Sequence, residues 1–213
     1  MVDESARSTS GEDYAQRLLR LQNAPWKRLL RVQAPFRWNL RRLEPGFTLE
    51  IGCGIGRNLE HLRGQSVGVD TNEHCVRAAR ARGLVAFTPD EFRTTAEYNQ
   101  PSRFDAILLA HVAEHMTESQ AVALLGEYLG LLRPGGRLLL IAPQEAGFRS
   151  DPTHVELMDF TRLQHISTRL GLVPEQAFSF PFPRWAGRWF TYNEFVVVSR
   201  RPVAGGARPA HAS

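Results

Sequence analysis

The sequence predicts an α/β protein, with a mostly parallel sheet covered by helices on both faces. Three observations carry this. From Phe47 onward, short apolar runs alternate with stretches of helical periodicity, as in sheets whose strands are joined by crossover helices. The first run, Thr48-Leu49-Glu50-Ile51, opens directly into Gly52-Cys53-Gly54-Ile55-Gly56 and a helix start. Arg133-Pro134-Gly135-Gly136 then separates a helical stretch from the apolar run Arg137 to Ile141, and glycine with proline there marks a helix stop.

The elements follow in order. Residues 1–10 are small and polar and are expected to be disordered. Residues 13–24 and 26–43 read as helices, with Leu18, Leu19 and Leu21, then Leu29, Leu30, Val32, Phe36, Leu40 and Leu43, near helical spacing. Pro25 and Pro35 interrupt them. A strand at 47–51 and a helix at 56–64 come next, then a strand at 66–69 and a helix at 72–82 capped by Thr71-Asn72. Strands are predicted at 84–87, 104–110 and 137–141, with a helix at 117–132 between the last two. A helix at 158–170 ends at Gly171, and two strands near 174–181 and 193–199 flank a loop rich in proline and aromatics. The domain plan is a tail and helical extension at 1–44, one catalytic-size domain at 45–200, and a loose tail at 201–213.

Bulk properties set bounds. A chain of 213 residues is long enough for one well-buried core. No apolar run approaches the ~20 residues of a membrane span, and the opening MVDESARSTSGED lacks the cationic-then-apolar order of a secretory leader. Cys53 and Cys75 are expected to be reduced, and the cytoplasm is the expected location. The net charge of +4 is almost all arginine, since Lys27 is the only lysine. Arg17, Arg20, Lys27, Arg28, Arg31, Arg37, Arg41 and Arg42 cluster near the start. A charge run of this kind is more often a solvated helix face than a nucleic-acid patch, so nucleic acid is not an expected partner.

The glycine turn carries the chemistry. Glycine lacks Cβ and reaches positive φ without strain, so a ligand can touch backbone there, and a helix start adds free N–H groups. The spacing is Gly-x-Gly-x-Gly behind Glu50, not the Gly-x-Gly-x-x-Gly of a dinucleotide fold. Asp70 ends the next strand, eighteen residues after Gly52, where a carboxylate can accept both hydroxyls of a ribose. A nicotinamide-dependent oxidoreductase is the rival that this spacing disfavours.

Together, Glu50, the glycine turn, Asp70 and the segment Leu131-Leu132-Arg133-Pro134-Gly135-Gly136 resemble the class I S-adenosylmethionine (SAM)-dependent methyltransferases. The segment Ala110-His111-Val112-Ala113-Glu114-His115 is similar to one in the UbiE-like small-molecule type. That resemblance implies a Rossmann-like sheet of seven strands, with an antiparallel last strand inserted beside strand five. It implies SAM as cofactor, S-adenosylhomocysteine (SAH) as product, and a small-molecule acceptor. Gly52, Gly54 and Gly56 would lie against the methionine part and Glu50 near its amino end. Asp90, or else Glu91, would meet the adenine amino group, unless Thr88-Pro89 simply caps a helix. Phe92 would cover the adenine or join the core, and His111 would lie beside the sulfonium.

For the acceptor, His154 in Asp151-Pro152-Thr153-His154 and His115 are the candidate bases. The aromatics from Phe178 to Tyr192 read either as a pocket wall or as core under a hairpin, the core reading being preferred. Trp38 and Arg37 are candidate contacts of a helical lid. His111-x-x-Glu114-His115 also matches an inverted zinc-peptidase pattern. That reading must take its third ligand from scattered carboxylates such as Glu118 or Glu127, with nothing to single one out, and leaves Gly52 to Gly56 and Asp70 unexplained, so no metal is expected. A SAM-binding scaffold without catalysis is the remaining alternative.

Overall fold

The computed structural model describes residues 33–203. The predicted helix at 13–24, the first seven residues of that at 26–43, and the outer parts of both tails lie outside the described residues. The remainder of the second helix is α1, Ala34–Arg42, which starts at Pro35 in its first turn, a position where the missing N–H costs no bond.

Seven strands form one sheet in the order β3-β2-β1-β4-β5-β7-β6. They are β1 Thr48–Ile51, β2 Ser66–Val69, β3 Ala86–Phe87, β4 Phe104–Ala110, β5 Leu132–Pro143, β6 Val173–Phe180 and β7 Glu194–Arg200. The strands from β3 through β5 are mutually parallel, and β7 is antiparallel to both β5 and β6. The helices are α2 Arg57–His61, α3 Glu73–Ala81, α4 Pro89–Thr94, α5 Glu118–Tyr128, α6 Glu145–Arg149 and α7 Phe160–Arg169.

The central strands are buried on both faces, as the crossover helices require. Period-two alternation then divides the core. Leu49, Ile107, Leu109, Leu138 and Leu140 pack on one face with Leu125 of α5 and Leu163 and Ile166 of α7. Leu108, Leu139, Val196 and Val198 pack on the other with Leu40 of α1. Burying one such side chain contributes about 1.5–3 kcal/mol.

Several boundaries differ from the sequence reading, each for a local reason. The helix read at 56–64 is only α2, five residues long, because Arg63 and Gly64 both take positive φ. β3 shortens to two residues at its start, where Leu84 N–H bonds the Ala79 carbonyl of α3 instead of a strand (3.2 Å). α4 follows at once, capped by Thr88, whose side chain accepts from Glu91 N–H while the Glu91 carboxylate accepts from Thr88 N–H. α5 stops at Tyr128 and a 3₁₀ turn, Leu129–Leu131, completes the stretch read as helix to 132. β5 starts at Leu132 rather than 137 and runs through the Pro-Gly-Gly segment, with a register shift against β4 between Phe104 and Ala106. No helix among the described residues is long and apolar enough to cross a membrane.

Candidate active site

A cavity of ~280 Å³ lies at the carboxyl ends of β1, β2 and β4, where open α/β sheets bind ligands. Two walls meet there. One is built by backbone around Gly52 and Gly54, with Asp70 and Thr71; the other by His111, Val112, His115 and Met116, with Leu124 and Tyr128 of α5.

The backbone wall follows from its glycines. Gly52 has φ +72°, and a Cβ there would stand 2.4 Å from Val112 Cγ2. The turn is stapled to β2 by N–H bonds from Gly52 (2.8 Å) and Cys53 (3.1 Å) to the Val69 carbonyl. Gly54 N–H donates to Asp70 Oδ2 (2.7 Å) and Asn72 N–H to Oδ1 (2.8 Å). Each Asp70 oxygen thus keeps one lone pair for a further donor. Gly56 has a different task. It does not line the cavity, and a Cβ on it would meet Leu84 Cδ1 at 2.4 Å, so it lets α2 pack closely. α2 itself, at five residues, is too short to add the helix-end field expected from the sequence.

Glu50 sits beneath this wall, buried, with Oε1 accepting from Asn58 Nδ2–H (2.6 Å) and Oε2 left without a partner. Burial pushes its carboxyl up to about 8, against the opposing bond from Asn58. Cys53 and Cys75 are buried free thiols. Burial raises Cys53 well above its ordinary value and Cys75 to about 12, so neither supplies a thiolate nucleophile.

The second wall is made of side chains. His111 takes φ +58°, outside the usual range for a residue with Cβ, and its N–H holds the Ile141 carbonyl (2.9 Å). This turns the ring between two carboxylates: Nε2 lies 2.7 Å from Glu194 Oε1 and Nδ1 3.5 Å from Glu114 Oε1. Burial would lower the imidazole pKa, but the Glu114 and Glu194 carboxylates outweigh it and lift the pKa to about 9. His111 is therefore an imidazolium at neutral pH. The 3₁₀ turn Ala113–His115 follows, placing Glu114 inside and His115 at the cavity.

His154 comes from the loop after α6 and meets His115 edge to face, ring centroids 4.8 Å apart. Its own ring stacks on Phe148. His154 Nδ1 lies 2.7 Å from the Phe148 carbonyl. A carbonyl only accepts, so Nδ1 carries the hydrogen and Nε2 the lone pair. His115 Nδ1 likewise faces the Thr153 carbonyl (3.3 Å) and Thr153 Oγ1 (3.1 Å), whose own hydrogen goes to Asp151 Oδ1. His115 Nε2 is left as an acceptor too.

The structure thus brings Gly52, Gly54, Asp70, His111 and His115 to one cavity, with Glu50 beneath it and His154 against His115. It does not bring Asp90, Glu91 or Phe92 there. The Asp90 side chain is 93% exposed and paired with Arg93. Glu91 closes the capping box and bridges to Arg80. Phe92 is core, against Phe87 and Tyr128. The loop aromatics correct the preferred core reading: Phe180 is buried against Phe36, but Trp185 and Trp189 are 64% and 72% exposed. None of them lines the cavity, and neither do Trp38 and Arg37. Glu194 went unread in the sequence; its one signal is a carboxylate opening an otherwise apolar strand.

Comparison with known proteins bears on the fold. A family model described as a methyltransferase domain matches residues 49–138, the segment from β1 into β5. The fold is shared with a SAM-dependent methyltransferase from Archaeoglobus fulgidus (TM-score 0.65, 17% identity, covering 87% of this chain and 99% of that one). It is shared also with a TehB-like SAM-dependent methyltransferase from Corynebacterium glutamicum (TM-score 0.58, 21% identity, 89% and 97%). The chain therefore shares its fold with these SAM-dependent methyltransferases, and its residues 49–138 match the methyltransferase-domain model. Among individual proteins it is similar to the ubiquinone biosynthesis O-methyltransferase of Bradyrhizobium sp. (strain ORS 278), 36% identical over 97 residues, 43% of this chain and 38% of that protein. The corresponding enzyme of Rhodopseudomonas palustris (strain HaA2) is 33% identical over 107 residues, 48% and 41%. The matched region spans about two fifths of these curated relatives.

Proposed function

We propose that the chain transfers a methyl group from SAM to an oxygen of a small-molecule acceptor. The observation that carries this is the two-walled cavity, with ligand-ready backbone on one side and paired imidazoles on the other. The residues present fit the cofactor. Gly52 holds a space that a Cβ would fill, Asp70 keeps lone pairs for a diol, and Glu50 has an unpartnered buried oxygen suited to an ammonium. SAM when bound supplies an electrophilic methyl on a sulfonium, which leaves as a neutral thioether.

The protein's own share is positioning and proton handling. Aligning two bound reactants is worth about 7–11 kcal/mol of barrier. His115 and His154 each offer an Nε2 lone pair that can take a hydroxyl proton, their rings fixed by bonds at Nδ1. His111, already charged, cannot be the base; it holds the floor of the cavity between Glu114 and Glu194. The similar relatives are O-methyltransferases by name, which supports oxygen as the nucleophile. A small-molecule acceptor suits a cavity of this size, and nucleic acid is not required by any feature of it. The experiment is calorimetric titration with SAH and SAM, followed by an acceptor screen reading SAH release. Absence of SAH binding to the folded chain would overturn the reading, and so would binding that Asp70→Ala leaves unchanged.

A further inference from the structure

The pair of histidines has a third member that the methyl-transfer reading does not use. One ligand atom from each of Glu114, His115 and His154 lies within 4.8 Å of the other two. An ion centred among three such atoms is within about 2.8 Å of each, so side-chain shifts of ~0.6–0.8 Å would reach the 2.0–2.2 Å of zinc–nitrogen and zinc–oxygen bonds. From these residues we infer that the chain binds one divalent transition ion of the zinc type, through Glu114, His115 Nε2 and His154 Nε2.

Three independent observations point to the ion. Glu114 is 1% exposed, and neither carboxylate oxygen has a hydrogen-bond partner. Leaving a buried carboxylate so is costly unless a cation meets it. His111 Nδ1 comes no closer than 3.5 Å to Glu114, because its ring is held by Glu194, 2.7 Å from Nε2. Finally, both histidines donate Nδ1–H to a backbone carbonyl, Thr153 for one and Phe148 for the other. That outer bond fixes the Nε2 tautomer in metal-ligating histidines.

The ligand set is two imidazoles and a carboxylate, which suits zinc, cobalt or ferrous ions better than magnesium or calcium. Three protein ligands leave an open position, and His115 puts it at the cavity. The inference deepens the methyl-transfer reading and rests on it only for the occupant of that position, an acceptor oxygen whose hydroxyl the bound ion would acidify in place of the two imidazoles, whose Nε2 lone pairs are then on the ion. It differs from the zinc-peptidase pattern in the sequence, because His111 is outside the cluster and His154 comes from another segment.

The test uses the full chain stripped with a chelator, then titrated with Co²⁺ by visible absorption and with Zn²⁺ by calorimetry. One ion per chain is expected, with the intense d–d bands of a four- or five-coordinate site rather than the weak spectrum of the aqua ion. Glu114→Gln and His154→Asn are each expected to weaken Zn²⁺ at least tenfold. No binding, an aqua-like spectrum, or binding indifferent to both substitutions overturns the site. The wild-type spectrum decides even if a variant does not fold. SAH titration in chelator reads the other wall separately. SAH binding without metal binding refutes the ion site and leaves the methyl-transfer reading standing. Metal binding without SAH binding does the reverse.

Discussion

The two walls of the cavity are made by different means. The Gly52–Asp70 wall is backbone, stapled to β2 by main-chain bonds and drawn from residues within twenty positions of one another. The His111–His154 wall is side chain, assembled from segments up to 83 residues apart. The first is rigid because its atoms have nowhere else to go. The second is held by charge and hydrogen bonds, so it responds to pH and to single substitutions. A cofactor common to many enzymes suits the first kind of wall, and an acceptor particular to one suits the second.

Substitutions should separate them. Gly52→Val is the most severe, since its Cβ meets Val112 at 2.4 Å and φ is +72°. SAH binding is expected to vanish, with a stability loss of about 1–3 kcal/mol from backbone strain alone, read by calorimetry and urea unfolding. Asp70→Ala removes acceptors from two N–H groups and from the ligand. At about 1.5–3 kcal/mol for a charged bond, SAH affinity should fall tenfold or more, and retention of full affinity would break the backbone-wall assignment.

Glu50 tests the wall through protons. A carboxyl raised to about 8 in the folded chain, against an ordinary 4.5, binds its proton more tightly folded than unfolded. Its contribution to stability therefore declines as pH rises from about 4.5 to 8, and Glu50→Gln should flatten that slope. SAM binding at pH 7 should release up to one proton from Glu50, seen as buffer-dependent binding heat; no buffer dependence would remove Glu50 from the amino end.

On the other wall, Glu194→Gln should lower the His111 pKa from about 9, followed by NMR, while SAH affinity changes little. The smallest effect is expected for Asp90→Asn. Its exposed pairing with Arg93 contributes within ±0.5 kcal/mol, and SAH affinity should stay within about twofold.

What could be read beforehand follows the same division. The alternation of strands and helices, the glycine turn and Asp70 were legible because periodicity and φ requirements are local; the strand order came from the family resemblance alone. Asp90, Glu91 and Phe92 were read from position along the chain, and the capping box decided otherwise: Glu91 folds back to Thr88, which leaves Asp90 outward and Phe92 inward. Glu194 was missed although the resemblance puts the last strand beside strand five, because nothing local says that the strand's first residue meets the end of β4. The exposed tryptophans were misjudged because aromatic density alone does not say whether a loop folds onto the core.

Cys53 is wedged where a Cβ on Gly68 would stand 2.5 Å from its sulfur, and Cys75 is fully buried in α3. These are the chain's two cysteines. Neither native thiol should take up a maleimide dye while the protein is folded. A cysteine introduced at Trp189, on the exposed loop, would then be the sole labelling position, and fluorescence from it could follow ligand binding with the native cysteines left in place.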